Sequence, residues 1–239
     1  MSGTLYGIGV GPGDPELMTL KAHRLIAGAG VVAYPAPDSG TSFARSIAAG
    51  AIRADAVEIP MIVPMRVARF PAQDVYAGAA ETIADHLTAG EDVAVLCEGD
   101  PFFYGSFMYL FARLSGRFAC EIVPGVSSLA ACSAALARPL AARNDVLTVI
   151  PGPVGNPALR ARIEGAEAVA IMKVGRHLPR IRALLDDMGL TAHAGYVERA
   201  SLAEQRVMPL GKTPKGAPEP APYFSMILIY KGNDPWLSL

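Results

Sequence analysis

The chain has 239 residues, of which 51% are hydrophobic and 18% are charged, and its mean hydropathy is +0.31. A chain this apolar is not intrinsically disordered, and its length allows one large domain or two small ones. Its 21 Lys and Arg residues against 22 Asp and Glu residues give a net charge of −1, which argues against a general nucleic-acid binder.

Cysteine, histidine and hydrophobic patterns exclude further classes. The three cysteines form no C-x-x-C pair and the four histidines no H-x-x-x-H pair, so we expect neither a disulfide framework nor a metal site. The first residues lack the basic and apolar regions of a secretory signal. The longest weakly polar run, Val126–Ala137, is shorter than the roughly 20 residues of a membrane span. These features predict a soluble cytoplasmic protein.

In the first half of the chain, strand-like and helix-like segments alternate, which predicts an α/β domain with a parallel sheet. The predicted strands are Thr4–Gly11, Val31–Tyr34, Asp92–Cys97 and Cys120–Val123. A helix is expected to start at Asp14-Pro15-Glu16, with Asp14 as its N-cap. The other expected helices are one with Tyr76, Ala80, Ile83 and Leu87 on one face, one with Phe103, Phe107, Leu110, Phe111 and Leu114, and Ser127–Ala137.

The stretch Arg138–Asn144 interrupts this alternation, and we place the domain boundary there, giving domains 1–140 and 141–239. Beyond it, strands that follow one another without a helix between them predict a mixed sheet. The Pro-rich stretch Pro214–Pro222 is expected to be a loop. The predicted strands are Val146–Ile150, Ala168–Met172, His193–Val197, Arg206–Leu210 and Phe224–Tyr230, with a helix that carries Leu178, Ile181, Leu184, Leu185 and Met188.

The most unusual residues follow the predicted strands, at the edge where open α/β sheets bind their ligands. The first such loop, Gly9-Val10-Gly11-Pro12-Gly13-Asp14, is similar to a dinucleotide fingerprint. It lacks the third small residue, and no acidic residue closes the second strand to hold a ribose. A nicotinamide-dependent oxidoreductase is therefore an alternative that the pattern disfavours.

The loop Glu98–Gly105 combines two carboxylates with three aromatic rings. Carboxylates suit a ligand with hydroxyl groups or positive charge, and aromatic rings suit a planar or apolar body. Asp100 is equally suited to cap a helix that begins at Pro101, and the two roles are compatible. Later strand ends carry Ser127-Ser128, Met172-Lys173 and Glu198–Ser201. Each is a weak signal alone, and together they predict that loops from both halves serve one cleft.

Taken in order, these motifs resemble the tetrapyrrole methyltransferase family over essentially the whole chain. The ordered set is G-x-G-P-G-D-P, G-D-P-x-x-Y-G, P-G-V-S-S, M-K, E-R-A and S-M-I-L-I-Y. The resemblance implies an S-adenosylmethionine-dependent enzyme of two α/β domains, with the cofactor folded in the cleft between them. Within the family, Tyr34–Pro37, Glu58–Met61 and Glu98–Leu110 are similar to precorrin-2 methyltransferases that act at carbon 20 in cobalamin (vitamin B12) biosynthesis.

The resemblance also implies the residues of the site. Glu98 stands where some relatives that methylate uroporphyrinogen have Gly, which favours the carbon-20 subgroup. Candidates for a general base that removes a proton after methyl transfer are Asp100, Glu98 and Tyr104. Candidates for binding substrate carboxylates are Arg66, Arg69, Arg113 and Arg143. The implied cofactor contacts are Pro12, Glu98, Gly99, Asp100, Phe103, Ser127, Ser128, Met172, Arg199, Ala200, Ser225 and Met226.

The implied reaction methylates precorrin-2 at carbon 20 and gives precorrin-3A and S-adenosylhomocysteine. Three alternatives remain open: the same methylation of cobalt-factor II, another member such as uroporphyrinogen-III C-methyltransferase, or a non-catalytic ligand-binding protein on the same scaffold. The resemblance further implies a homodimer, and neither nucleic acid nor membrane is an expected partner. A candidate exposed patch for the dimer is Met61, Ile62, Val63 and Met65.

Overall fold

The computed structural model describes residues 1–63, 70–213 and 221–232. The chain divides into two compact units, Met1–Ser127 and Ser128–Leu239, and each is built around one five-stranded sheet. The division falls before the helix Ser128–Leu136, whereas the sequence pattern places it at residue 140. This helix belongs with the second unit because it packs on that sheet, where a Cβ added at Gly195 would lie 2.5 Å from the Leu136 side chain.

The first unit alternates strands and helices, as its sequence pattern predicts. Its five strands are all parallel, in the order β3-β2-β4-β1-β5. Its elements are β1 (Thr4–Gly9), α1 (Leu20–Gly28), β2 (Val31–Ala36), α2 (Phe43–Ala48), β3 (Val57–Ile62), α3 (Phe70–Thr88), β4 (Val93–Cys97), α4 (Phe107–Leu114) and β5 (Ala119–Val123).

Two apolar clusters bury the two faces of this sheet. Along β4, Val93 and Val95 pack with α3 and α4, whereas Ala94 and Leu96 pack with α1 and α2. Successive side chains of a strand point to opposite faces, so a continuous apolar run is what a strand covered on both sides requires. The central position of β4 places its carboxyl end, and the loop Glu98–Gly105 after it, in the middle of the sheet edge.

The second unit has the mixed sheet that its sequence pattern predicts. Its strand order is β6-β7-β10-β8-β9, in which β6 and β7 are parallel and the other neighbours are antiparallel. Its elements are α5 (Ser128–Leu136), β6 (Leu147–Pro151), α6 (Asn156–Glu164), β7 (Ala168–Met172), α7 (Leu178–Asp187), β8 (Ala194–Glu198), β9 (Arg206–Pro209) and β10 (Ser225–Tyr230).

Two local features differ from the expectations. Phe103 lies in the loop before α4 instead of within the helix, and the loop turns so tightly that a Cβ at Gly105 would lie 2.4 Å from the Pro101 carbonyl oxygen. The sequence pattern predicts no bounds for α2 or β3, because α2 is short and β3 is an edge strand with a proline at position 60. Among the helices of the described residues, none has the length and apolar character that a membrane span requires.

Candidate functional site

Four glycines bring the loops after β1, β4 and β5 into direct backbone contact. A Cβ at Gly125 would lie 2.0 Å from the Gly99 carbonyl oxygen, and one at Gly9 would lie 2.7 Å from the Cα atom of Gly125. Gly11 and Gly99 exchange backbone hydrogen bonds of 3.3 and 2.8 Å, and their φ angles are +86° and +65°. The close approach leaves no room for a Cβ at Gly9 or Gly125, and the positive φ angles favour glycine at positions 11 and 99. The three loops therefore form one layer at the carboxyl edge of the first sheet.

The Asp100 side chain connects the loop after β4 to the loop after β5. One carboxylate oxygen accepts hydrogen bonds from the backbone N–H groups of Phe102, at 2.9 Å, and Phe103, at 3.0 Å. The other oxygen accepts one from the N–H of Gly125, at 3.1 Å. The expected capping role of Asp100 is therefore present, but it caps a turn, because α4 begins only at Phe107. Three amides occupy both oxygens of the carboxylate.

Glu98 is the other carboxyl group of the loop, and its environment differs from that of Asp100. Its side chain follows the last residue of β4, and burial raises the pKa of its carboxyl group. Backbone groups of Glu98 itself and of Ala44 favour the charged form and offset part of this rise in pKa. Within the described residues, no cation forms an ion pair with Glu98. Such a carboxyl group is suited to a proton-transfer role or to a cationic ligand.

The aromatic residues and Pro12 complete the edge of the first unit. Pro12 is buried, Phe103 is half-buried, and the ring of Phe103 stands perpendicular to that of Tyr104 at a centroid distance of 5.3 Å. Tyr104 is 41% exposed and adopts a φ of +57°, a conformation that costs energy for a residue other than glycine. Asp14 accepts a hydrogen bond from the N–H of Glu16, so it is a cap as predicted, but it caps the short turn Pro15–Leu17. The helix α1 begins only at Leu20, with Thr19 as its N-cap.

In the second unit, the predicted residues gather where β7 and β8 end and β10 begins. Met226 pairs with Met172 across the β10–β7 ladder, and Ser225 pairs with Glu198 across the β10–β8 ladder. Both methionines are buried. Arg199 extends the β8 edge by donating its backbone N–H to the Phe224 carbonyl oxygen at 2.8 Å.

Side chains and backbone play different parts at this second edge. The Ser225 hydroxyl donates to the Pro222 carbonyl oxygen at 2.6 Å and accepts from the Gly175 N–H at 3.1 Å, so the fold itself uses it. Arg199 is exposed with a φ of +48°, and Ala200 is buried. Lys173, after Met172, has a φ of +56°. These positive φ angles turn the chain sharply at the ends of β7 and β8.

The remaining predicted residues are placed as follows. Ser127 ends the first unit and Ser128 is the first residue of α5, both half-buried. Arg113 is exposed on α4 and donates to the Tyr109 carbonyl oxygen, and Arg143 lies on an exposed bend. Arg66, Arg69 and Met65 lie outside the described residues. Met61 is buried, so it does not belong to an exposed patch, whereas Ile62 is 46% exposed.

The structure also brings together residues to which sequence reasoning assigned no role. Tyr34 on β2, Glu58 on β3 and Arg45 on α2 form one hydrogen-bonded cluster. Tyr34 and Glu58 lie in the two stretches that the resemblance to the carbon-20 subgroup highlights. Arg45 is distant from both in the sequence, so only the fold reveals the link.

Comparison with known proteins shows similarity along the whole chain. A family model described as Tetrapyrrole (Corrin/Porphyrin) Methylases matches residues 4–213. A precorrin-2 C(20)-methyltransferase from a Sinorhizobium species is 40% identical, over 95% of this chain and 95% of its own. The cobalamin biosynthesis protein CobIJ of Mycobacterium tuberculosis is 44% identical over 97% of this chain. This chain spans 46% of the CobIJ protein, slightly less than half of its length.

A solved structure has the same fold. The crystal structure of uroporphyrin-III C-methyl transferase from Thermus thermophilus, complexed with S-adenyl homocysteine, matches 95% of this chain and 97% of its own. Its TM-score is 0.67 and its sequence is 26% identical.

Proposed function

Because the chain belongs to the tetrapyrrole (corrin/porphyrin) methylases, we propose that it transfers a methyl group from S-adenosylmethionine to carbon 20 of precorrin-2, giving precorrin-3A. The 40% identity to a precorrin-2 C(20)-methyltransferase, over nearly the full length of both chains, carries this proposal. The loop Glu98–Gly105 supports the proposal. Its carboxylates suit the positive charge of S-adenosylmethionine, and its aromatic rings suit a flat substrate such as a tetrapyrrole.

The residues at the two sheet edges fit S-adenosylmethionine, a cofactor with a sulfonium, an amino-acid end and an adenosine. Glu98 offers a carboxyl group that has no cationic partner among the described residues, which suits a positively charged ligand. Asp14 would repel a pyrophosphate at the first turn, so the same loops do not suit a dinucleotide. Met172, Ala200 and Met226 supply buried apolar surface for a planar base.

We assign the cofactor contacts as the resemblance implies them. In the first unit these are Pro12, Glu98, Gly99, Asp100, Phe103 and Ser127. In the second unit they are Ser128, Met172, Arg199, Ala200, Ser225 and Met226. Because the hydroxyl of Ser225 is already bonded at both ends, we assign its contact to the backbone. Asp100 acts by shaping its loop, since amides occupy both oxygens of its carboxylate.

When bound, S-adenosylmethionine supplies an electrophilic methyl group for in-line transfer to a nucleophilic ring carbon. The task of this chain is to hold both reactants in line and to exclude water. Positioning of this kind reaches effective molarities of order 10⁵ M, equivalent to about 7 kcal/mol of the barrier. The glycine layer of Gly9, Gly99 and Gly125 is suited to it, because backbone packed on backbone moves little. Of the three base candidates we favour Glu98, because both oxygens of Asp100 already accept amide hydrogen bonds and Tyr104 is exposed.

Two measurements on purified protein test the proposal in sequence. Calorimetric titration with S-adenosylhomocysteine is expected to give one site per chain, and titration with NAD is expected to give no heat. The protein is then incubated with S-adenosylmethionine and either precorrin-2 or cobalt-factor II, and products are followed by mass spectrometry. A gain of one methyl group on precorrin-2 supports the proposal, and a gain on cobalt-factor II alone assigns the cobalt-containing substrate instead. Cofactor binding without methylation of either substrate would point to a non-catalytic binding protein.

We also propose that the protein is a homodimer, as the family resemblance implies. The edge strand β3 exposes Val57 by 48% and Ile62 by 46%, which is apolar surface that a second copy is suited to cover. Light scattering should give twice the chain mass of 25.0 kDa. A particle of single-chain mass at micromolar concentration would reject the dimer.

A further inference from the structure

The turn at residues 151–154, after β6, lies against the end of β7. Pro151 pairs with Met172 in the parallel β6–β7 ladder, and Gly152 donates its backbone N–H to the Met172 carbonyl oxygen at 2.7 Å. Gly152 is buried, and a Cβ there would lie 2.7 Å from the Lys173 carbonyl oxygen. Because backbone is packed on backbone here, a displacement of the turn is passed on to Met172 and Lys173.

The composition of this turn leaves few groups with which to hold it. Pro151 and Pro153 have no backbone N–H, and Gly152 has no side chain. The single N–H of these three residues is the one that bonds to Met172. The Pro151 carbonyl oxygen accepts the N–H of Val154 at 3.1 Å, which closes the turn on itself. The Gly152 carbonyl oxygen remains as an acceptor for a side chain from another element.

Arg180, near the start of α7, supplies that side chain. Its half-buried guanidinium donates through Nη2 to the Gly152 carbonyl oxygen and through Nη1 to Oδ1 of Asn156. A planar guanidinium with two acceptors is fixed in orientation as well as in distance. The next residue, Ile181, is buried in the core of the second unit, so the helix that carries Arg180 is itself held on the sheet. Hydrogen bonds therefore run in series from α7 to Gly152 and from Gly152 to Met172.

We infer that Arg180 is a positioning residue for S-adenosylmethionine binding, which holds the turn after β6 through Gly152 and thereby fixes the end of β7 at Met172. The inference rests on the proposed function, because it takes Met172 to be a cofactor contact. Without the guanidinium, a buried carbonyl oxygen loses its partner, which is unfavourable unless the turn shifts to reach water. That shift would draw the Gly152 N–H away from Met172.

Calorimetric titration of Arg180→Met with S-adenosylhomocysteine tests the inference in the full-length protein. Methionine keeps part of the aliphatic side chain and removes both donors. We expect the affinity to fall by about tenfold, a typical effect of misplacing a binding segment. In steady-state assays KM for S-adenosylmethionine should rise more than kcat falls, because the lost interaction concerns cofactor binding. A purely structural role would lower the melting temperature and leave the affinity of the folded protein unchanged.

Arg160→Met is the matched control. Arg160 is a half-buried arginine of α6 that pairs with Asp187 of α7, so it joins the same two helices as the bond from Arg180 to Asn156. Among the described residues its acidic partners are Asp187 and Glu164, and neither belongs to the turn after β6. Arg160→Met should therefore leave the affinity for S-adenosylhomocysteine unchanged.

Two further variants check the route of the effect. Asn156→Ala, at an exposed position, removes one acceptor of the guanidinium, so it should fold normally and weaken binding by about twofold to threefold. Gly152→Ala displaces the turn directly, because its Cβ would meet the Lys173 carbonyl oxygen. If Arg180 acts through this turn, Arg180→Met should cause much less further loss of affinity in the Gly152→Ala background than in the wild type. Melting temperatures of all variants show whether the fold is retained.

The outcomes separate the two levels of inference. If the wild-type protein does not bind S-adenosylhomocysteine, the proposed function fails. If the wild type binds but the folded Arg180→Met and Asn156→Ala variants bind equally well, the positioning role fails and the function stands. An equal loss in Arg160→Met would assign the effect to the contact between α6 and α7, and a full further loss in the Gly152→Ala background would assign it to another route. Either of these two results overturns the inference.

Discussion

The Asp100 carboxylate lies 3.1 Å from the backbone nitrogen of Gly125, so one side chain joins the loop after β4 to the loop after β5. This bond acts with the backbone contacts of Gly9 and Gly99 to hold three strand ends together. A carboxylate that accepts three amides stabilises the shape of its loop and has little capacity left for proton transfer. In this chain Asp100 therefore holds a loop geometry, which leaves Glu98 as the better candidate for proton transfer.

We expect Asp100→Asn to destabilise the protein by about 1–3 kcal/mol, because asparagine has one acceptor oxygen for bonds that now use two. The free energy of unfolding from urea denaturation measures this. Asp92→Asn is the control, since Asp92 accepts a single exposed bond from the Thr4 N–H, and its effect should be smaller. If Asp100→Asn is as stable as the wild type, the hydrogen bonds of Asp100 do not stabilise these loops.

Gly125→Ala should disrupt the glycine layer. Its Cβ would lie 2.0 Å from the Gly99 carbonyl oxygen, and backbone must move to accept it. We expect a loss of about 3 kcal/mol or more in stability and a large loss of S-adenosylhomocysteine affinity. Gly78→Ala is a matched control at an exposed position of α3, where a Cβ meets no atom within 4 Å, and it should stabilise the protein by about 1 kcal/mol. A Gly125→Ala variant with normal affinity would contradict the proposed site.

Gly152→Ala tests the second unit in the same way. A Cβ at Gly152 would lie 2.7 Å from the Lys173 carbonyl oxygen, and Gly152 also donates its N–H to the Met172 carbonyl oxygen at 2.7 Å. The substitution should displace the end of β7 and weaken S-adenosylhomocysteine binding by about tenfold, a typical effect of misplacing a binding segment. Gly155→Ala, three residues along the same loop, meets no atom within 4 Å and should bind normally. Equal affinities of the two variants would exclude Met172 as a contact.

The Glu58 cluster should make part of the stability depend on pH. Hydrogen bonds from Arg45, and then from Tyr34, hold the pKa of Glu58 below its usual value of 4.5. A lowered folded-state pKa gives stabilisation that is complete above the unfolded pKa and is lost as the pH falls through the folded pKa. Glu58→Gln should therefore be less stable than the wild type at pH 7, by about 1 kcal/mol for a partly exposed pair.

The difference in the free energy of unfolding between Glu58→Gln and the wild type should shrink as the pH falls below 4.5. Urea denaturation at a series of pH values measures it. Glu204→Gln is the control, because Glu204 is exposed and its side chain forms no hydrogen bond or ion pair among the described residues, and it should show no such change. If Glu58→Gln is less stable than the wild type by the same amount from pH 7 to pH 3, the ion pair is not the source of the difference.

The sequence by itself determined the two α/β units and the kinds of sheet in them. The apolar run Val93–Cys97 has to be buried on both faces, which requires helices on both sides of a parallel sheet. Adjacent strands without helices between them require antiparallel neighbours, as β8, β9 and β10 are. The order of the strand-end motifs also identified the family, because several short motifs in one order are far more specific than any single one.

Only the tertiary structure decided what each residue of these motifs does. Asp100 and Glu98 are both acids in one loop, and nothing local separates them. They differ because Gly125, from another strand end, donates a hydrogen bond to Asp100, whereas burial raises the pKa of the Glu98 carboxyl group. The hydroxyl of Ser225 is likewise used by Gly175 and Pro222. Hydrogen-bond partners and burial depend on which segments meet in space, and the periodicity of a single segment carries no information about that meeting.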